Sequence, residues 1–135
     1  MSEMEIGVVG AHMSGLPLNG ELLALEGRLL RATRTRPCYR LFRLPDGPPF
    51  RPGLLRVAEG EGHAIALEVW ALPRASIGAL LAAIPAPLGL GTLRLADGTT
   101  PHGFLVEAEG TRQAEDISAS GGWRAWLASR ATAPA

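Results

Sequence analysis

Glycine and proline close nearly every apolar run in this chain, and that punctuation confines it to short elements joined by tight turns. The first run, "EIGVVGAHM", is β-branched and breaks at Gly10, so it reads as a buried strand. After Pro17, Leu18, Leu22, Leu25 and Leu29 follow near-helical spacing with Glu21, Glu26 and Arg28 off the stripe. They predict a helix with Asn19 as its N-cap, although Gly20 and Gly27 oppose it. "RTRPCYRLFRLP" has strand character and closes at "PDGPP", and "GLLRVA" and "HAIALEVWALP" are strands on either side of the "EGEG" turn. "RASIGALLAAIP" predicts a short helix stopped by proline, and "GTLRLADGTTPHGFLVEAE" a hairpin-like pair about Asp97-Gly98. "EDISASGGWRAWLAS" turns at Gly121-Gly122 into a short Trp-containing helix. Strands of mixed length with few helices predict an α+β fold, an antiparallel sheet or small barrel rather than a doubly wound sheet.

A chain of 135 residues suffices for one domain, residues 1–135, with a core that needs no staples. Neither an internal repeat nor a linker is visible. Thirteen basic residues balance 13 acidic ones, so no basic field directs the protein to nucleic acid or an anionic membrane. Apolar stretches fall far short of a bilayer span, and no basic region precedes an apolar run at the N-terminus. A cytoplasmic protein is expected. Cys38 is the single cysteine, which excludes an internal disulfide and a cysteine-based zinc site. All 13 basic residues are arginine. Without lysine, Schiff-base chemistry, a P-loop and a Ser-Ser-Lys amidase centre are impossible within the chain.

The stretch "VVGAHMSGLPLN" places His12 and Ser14 in a turn bounded by Gly10 and Gly15. It is either an ordinary turn, with His12 capping it through a ring nitrogen, or a backbone shaped to hold a small polar ligand beside His12. His63 and His102 lie next to turn glycines with no spacing that links them to His12, so no metal site and no cofactor is expected.

Six blocks, in order, carry a resemblance: "VVGAHMSGLPLN", "TRTRPCYRLFRLP", "PPFRPGLLRV", "AIALEVWALP", "IPAPLGLGTLRLADGTTPHGFLVEA" and "DISASGGWRAW". Together they resemble the C-terminal domain of allophanate hydrolase, from about residue 6 to about residue 127. That domain is related to the gamma-glutamyl cyclotransferases, which implies an α+β fold built as a small mixed β-barrel with two or three short helices. It also implies that Gly10, Ala11, His12, Met13, Ser14 and Gly15 form a substrate loop that binds through backbone amides. The resemblance implies decarboxylation of N-carboxycarbamate during urea or allophanate breakdown, with His12 at the position of the implicated histidine. Two departures limit it. Nothing here resembles the amidase half of allophanate hydrolase, and "LLAAIPAPL" offers no carboxylate where a cyclotransferase has its glutamate. A non-catalytic module docking on a separate amidase is the rival expectation, and cyclotransferase activity ranks third.

For the implied reaction, histidine suits proton delivery to the leaving nitrogen because its ordinary pKa is about 6.5. The glycines let backbone N–H groups approach a carboxylate, and Ser14 adds a hydroxyl. A small dicarboxylate-like ligand also needs a fixed cation. Strand alternation in "CYRLFRL" puts Arg40 with Cys38, Phe42 and Leu44 on the more apolar face, so Arg40 is preferred over a solvated Arg43. Glu68 sits among apolar residues in "IALEVWAL", so Arg40 and Glu68 either pair with each other or meet the ligand. Tyr39 offers a phenolic donor or packs, Asp116 matches a position of the resembled family or serves as an N-cap or turn residue, and Trp123 and Trp126 share a helical face that packs in the core or walls the pocket. The sequence allows a homodimer and does not require one.

Overall fold

The structure is a computed structural model that describes residues 2–132. Eight strands are present: β1 (Glu3–Val8), β2 (Arg28–Arg34), β3 (Tyr39–Arg43), β4 (Pro52–Arg56), β5 (Ala66–Pro73), β6 (Leu88–Thr92), β7 (His102–Val106) and β8 (Glu115–Asp116). They form a five-stranded sheet in the order β2-β5-β1-β7-β6 and a three-stranded sheet in the order β4-β3-β8. The larger sheet is mixed, because β1 runs antiparallel to β5 but parallel to β7, where Ile6 lies opposite His102. Among the described residues there are three α-helices, α1 (Asn19–Ala24), α2 (Ile77–Ala83) and α3 (Trp123–Thr132), besides three 3-10 turns. The α+β class is as expected. Among the described residues the ladders define two sheets, with an isolated bridge from Thr35 to Leu95; a continuous closed ladder is not among them.

Burial explains the order of the larger sheet. β5, β1 and β7 are its inner strands, and on β1 and β5 Ile6, Val8, Val69 and Leu72 are fully buried. Burying such side chains contributes about 1.5–3 kcal/mol each. β1 thus emerges from the middle of the core, and the turn after Val8 is delivered to a fixed place.

The helix expected over Leu18–Leu29 is shorter than the leucine spacing suggests. It ends where Glu26 adopts φ 64° and the Gly27 N–H closes on the Leu22 carbonyl at 2.8 Å. That is a left-handed helix terminus, and it sends Arg28 directly into β2. Leu29, the last residue of the expected stripe, therefore lies on a strand and is 46% exposed. Asn19 does not cap α1 through its side chain, which instead donates to the His12 carbonyl at 2.8 Å. None of the helices among the described residues is long and apolar enough to cross a membrane.

Candidate functional site

The turn leaving β1 is folded by its own carbonyls. Gly10 O accepts from Met13 N at 2.9 Å, Ala11 O from Leu18 N at 2.9 Å, and His12 O from Asn19 Nδ2 at 2.8 Å. In a trans peptide the next residue's N–H points opposite to the carbonyl. The N–H groups of Ala11 and His12 therefore face away from those bonds. Together with the Gly10 N–H, they have no hydrogen-bond acceptor among the described residues. All three residues are buried, and buried backbone donors are almost always satisfied. Successive unpaired backbone N–H groups are suited to a negatively charged group.

These residues line one wall of an open cleft whose other walls include Arg51, Ile84 and Phe104. Close approach of two segments creates it. A Cβ on Gly10 would stand 2.6 Å from Pro52 Cγ, so only glycine lets the start of β4 lie against the turn. That contact brings Arg51 beside His12, where its positive charge bears on the imidazole. Arg51 has no carboxylate partner among the described residues.

His12 is 6% exposed, and its ring centroid lies 5.0 Å from that of Phe104. Its Nε2 is 2.9 Å from Glu21 Oε1 on α1. Burial holds the imidazole pKa below its ordinary value; Glu21 opposes that shift, and Arg51 reinforces it. A lowered pKa favours the neutral ring at pH 7.

The far side of the turn is clamped. Glu68 Oε1 accepts from Ser14 N at 2.8 Å and from Trp70 Nε1 at 3.1 Å. Its Oε2 accepts from Ser14 Oγ at 2.9 Å and from Arg124 Nη2 at 3.1 Å. Arg124, in the first turn of α3, also donates to the Ser14 carbonyl at 2.6 Å. Burial alone would raise the Glu68 pKa, but the donated bonds outweigh it and hold the carboxyl below its ordinary value.

The residues singled out by the sequence separate into two groups. Gly10, Ala11, His12, Met13, Ser14, Gly15 and Glu68 are brought together, although Met13 is buried in the core and Glu68 serves the turn rather than the cleft. Tyr39 and Arg40 stand apart. Tyr39 is fully buried, and its phenolic oxygen accepts from Arg94 N at 3.0 Å. Arg40 is on the solvent side of β3, since Tyr39 and Leu41 supply the core face, and it donates to Asp116 on β8 at 2.9 Å. Arg40 and Glu68 are therefore not partners; Arg124 takes the place expected of Arg40. Arg43, expected to be solvated, is half-buried and stacks over Phe50 at 4.0 Å. Glu21, Arg51 and Arg124 were not singled out as site residues. Arg51 lies within a quoted block, and its isolation between Phe50 and Pro52 was the available signal.

Comparison with known proteins shows the family to which the chain belongs. Residues 4–128 match the family model described as the allophanate hydrolase C-terminal domain. The chain is 38% identical over 129 residues to urea amidolyase of Saccharomyces cerevisiae, covering 93% of this chain but only 7% of that protein. Kluyveromyces lactis allophanate hydrolase superposes with a TM-score of 0.89 at 34% identity, over 95% of this chain and 21% of that one. A uropathogenic Escherichia coli-specific protein, c4763, matches at 38% identity and a TM-score of 0.87, over 95% of this chain and 98% of its own. An AIG2-like protein of mouse shares the fold alone, with a TM-score of 0.61 at 17% identity. The mixed α+β fold, the matched span and the relatives agree: the chain belongs to the allophanate hydrolase C-terminal domain family.

Proposed function

We propose that the cleft beside His12 binds a small dicarboxylate-like ligand and promotes decarboxylation of N-carboxycarbamate during cytoplasmic urea or allophanate breakdown. The observation that carries this reading is the row of unpaired N–H groups at Gly10, Ala11 and His12, flanked by His12 and Arg51. One carboxylate fits the backbone donors, with Arg51 beside them as a fixed cation for the same group. Loss of carbon dioxide leaves charge on nitrogen, which a proton handled by His12 neutralises. Ile84 lines the cleft in the segment where a cyclotransferase would carry its glutamate, which disfavours cyclisation. Malonate, with a methylene in place of the N–H, is a stable probe of the site. Wild-type protein should bind it, Arg51→Ala should weaken that binding at least tenfold, and His12→Ala should remove any acceleration of carbon dioxide release from N-carboxycarbamate made in situ by a separate amidase. Release no faster than the spontaneous rate, with unchanged malonate affinity in Arg51→Ala, refutes the reading.

Docking on a separate amidase is the second reading. Its support is that the matching domains lie within Kluyveromyces lactis allophanate hydrolase and yeast urea amidolyase, where the match spans 21% and 7% of those proteins. Failure to associate with an amidase-signature protein at micromolar concentration would count against it.

A further inference from the structure

Decarboxylation needs a proton to move, and the environment of His12 dictates which ring nitrogen moves it. We propose that Glu21 is a positioning residue that holds His12 as its Nε2–H tautomer, leaving Nδ1 as the working nitrogen, and that the substrate therefore reacts as a monoanion carrying one acid proton. This rests on the decarboxylation reading above.

The geometry of α1 carries the proposal. Two residues of its first turn hold opposite ends of His12: Asn19 donates to the His12 carbonyl at 2.8 Å, and Glu21 Oε1 sits 2.9 Å from Nε2. An ionised carboxylate only accepts, so Nε2 must carry the hydrogen. Nδ1 then has a lone pair and no partner among the described residues. The charged groups facing the ring are Glu21 from α1 and Arg51 from the segment before β4; β7 contributes the uncharged Phe104 ring. Burial disfavours an imidazolium here by more than Glu21 favours it, and Arg51 adds to that, so the ring begins neutral and acts first as a proton acceptor.

A neutral base completes the reaction only if the substrate supplies the proton. In the monoanion of N-carboxycarbamate, one carboxyl group is protonated and the other is ionised. Nδ1 takes the acid O–H proton as the O–H bonding pair becomes the second C=O bond of carbon dioxide. The C–N bonding pair moves to nitrogen, and Nδ1 returns the proton there. The products are carbon dioxide and the carbamate anion, with no net proton consumed. The backbone donors and Arg51 hold the carboxylate that is retained.

The test is two-bond 1H–15N NMR of the histidine rings in the full chain, which reports tautomer and titration midpoint without substrate. Wild-type His12 should show the Nε2–H form at pH 7.5. Glu21→Gln keeps an accepting oxygen but removes the charge, so it should keep that tautomer and lower the proton affinity of His12 about three- to tenfold. Glu21→Ala should mix the tautomers, and Glu21→Asp should restore part of the midpoint. The acid limb of the decarboxylation rate should shift with the midpoint in Glu21→Gln, which a merely structural role would not cause. An Nδ1–H form in wild type, or an unchanged tautomer and midpoint in Glu21→Ala, overturns the proposal. The expected tautomer in a protein that does not accelerate decarboxylation overturns the relay and the functional reading, while the positioning role of Glu21 stands.

Discussion

Replacing Glu68 by glutamine keeps the shape of the side chain and removes its charge, so it isolates what the clamp contributes. The carboxylate accepts four hydrogen bonds: from Ser14 N and Trp70 Nε1 at one oxygen, and from Ser14 Oγ and Arg124 Nη2 at the other. A glutamine amide has one accepting oxygen. Turned toward Ser14 N and Trp70 it keeps those two bonds, and the Ser14 hydroxyl can reverse to accept from the new amide N–H. Arg124 is then left facing a donor. One charge-assisted bond is lost outright and the other three become neutral, a cost of at least about 2–3 kcal/mol. For a domain of this size that lowers Tm by about 6–12 °C. Calorimetry and urea denaturation at pH 7 measure it directly. The pH dependence adds a second check. Because the folded Glu68 pKa is depressed, its contribution is fully present above the unfolded value of about 4.3 and is lost as pH falls through the folded value. The stabilities of wild type and Glu68→Gln should therefore begin to converge as pH falls below about 4.3 and meet below the folded value. A loss at pH 7 under about 0.5 kcal/mol, or a gap that persists in acid, refutes the clamp as the source of this stability.

Glycine-to-alanine substitution should have opposite effects at two sites. At Gly10 the new methyl meets the rigid Pro52 ring, costing about 1–3 kcal/mol and weakening malonate binding as Arg51 is pushed away. At Gly20, in α1 with nothing within 4 Å, it should stabilise by about 0.5–1 kcal/mol in the same urea titration. Asp116→Ala should cost about 1–2 kcal/mol, because Asp116 Oδ1 accepts from Ser118 N at 2.9 Å and from the Ser118 hydroxyl, whose oxygen in turn accepts from buried Leu41 N. Arg40→Ala, which removes only the exposed end of that network, should stay within about 1 kcal/mol; equal losses in both variants would contradict this assignment.

What could be read in advance follows from where each property is encoded. The turn was legible because glycines bounding a histidine after a β-branched run are a local signal. So was the interior position of Glu68, since a charge among apolar residues in a strand has to be buried or partnered. Its partner was not legible. Strand alternation favoured Arg40, but each face of β3 is assigned by what docks on it, and β8 draws Arg40 outward while α3 brings Arg124 in from 56 residues away. Arg51 was hidden for a similar reason, since its place depends on Gly10 meeting Pro52 across two sheets. The helix was overextended because leucine spacing continues past the point where Glu26 and Gly27 turn the chain.

The bond from Arg124 to Ser14 joins residues 110 positions apart. It therefore sets an order of events during synthesis. Residues 10–15 leave the ribosome first, Glu68 follows about midway, and the guanidinium that completes the clamp arrives with the last helix. Until then the turn has only its internal carbonyl bonds to hold it. The turn is thus made before the groups that clamp it and is held fully only once α3 has docked, so a stalled or nicked product that lacks α3 leaves the turn unclamped.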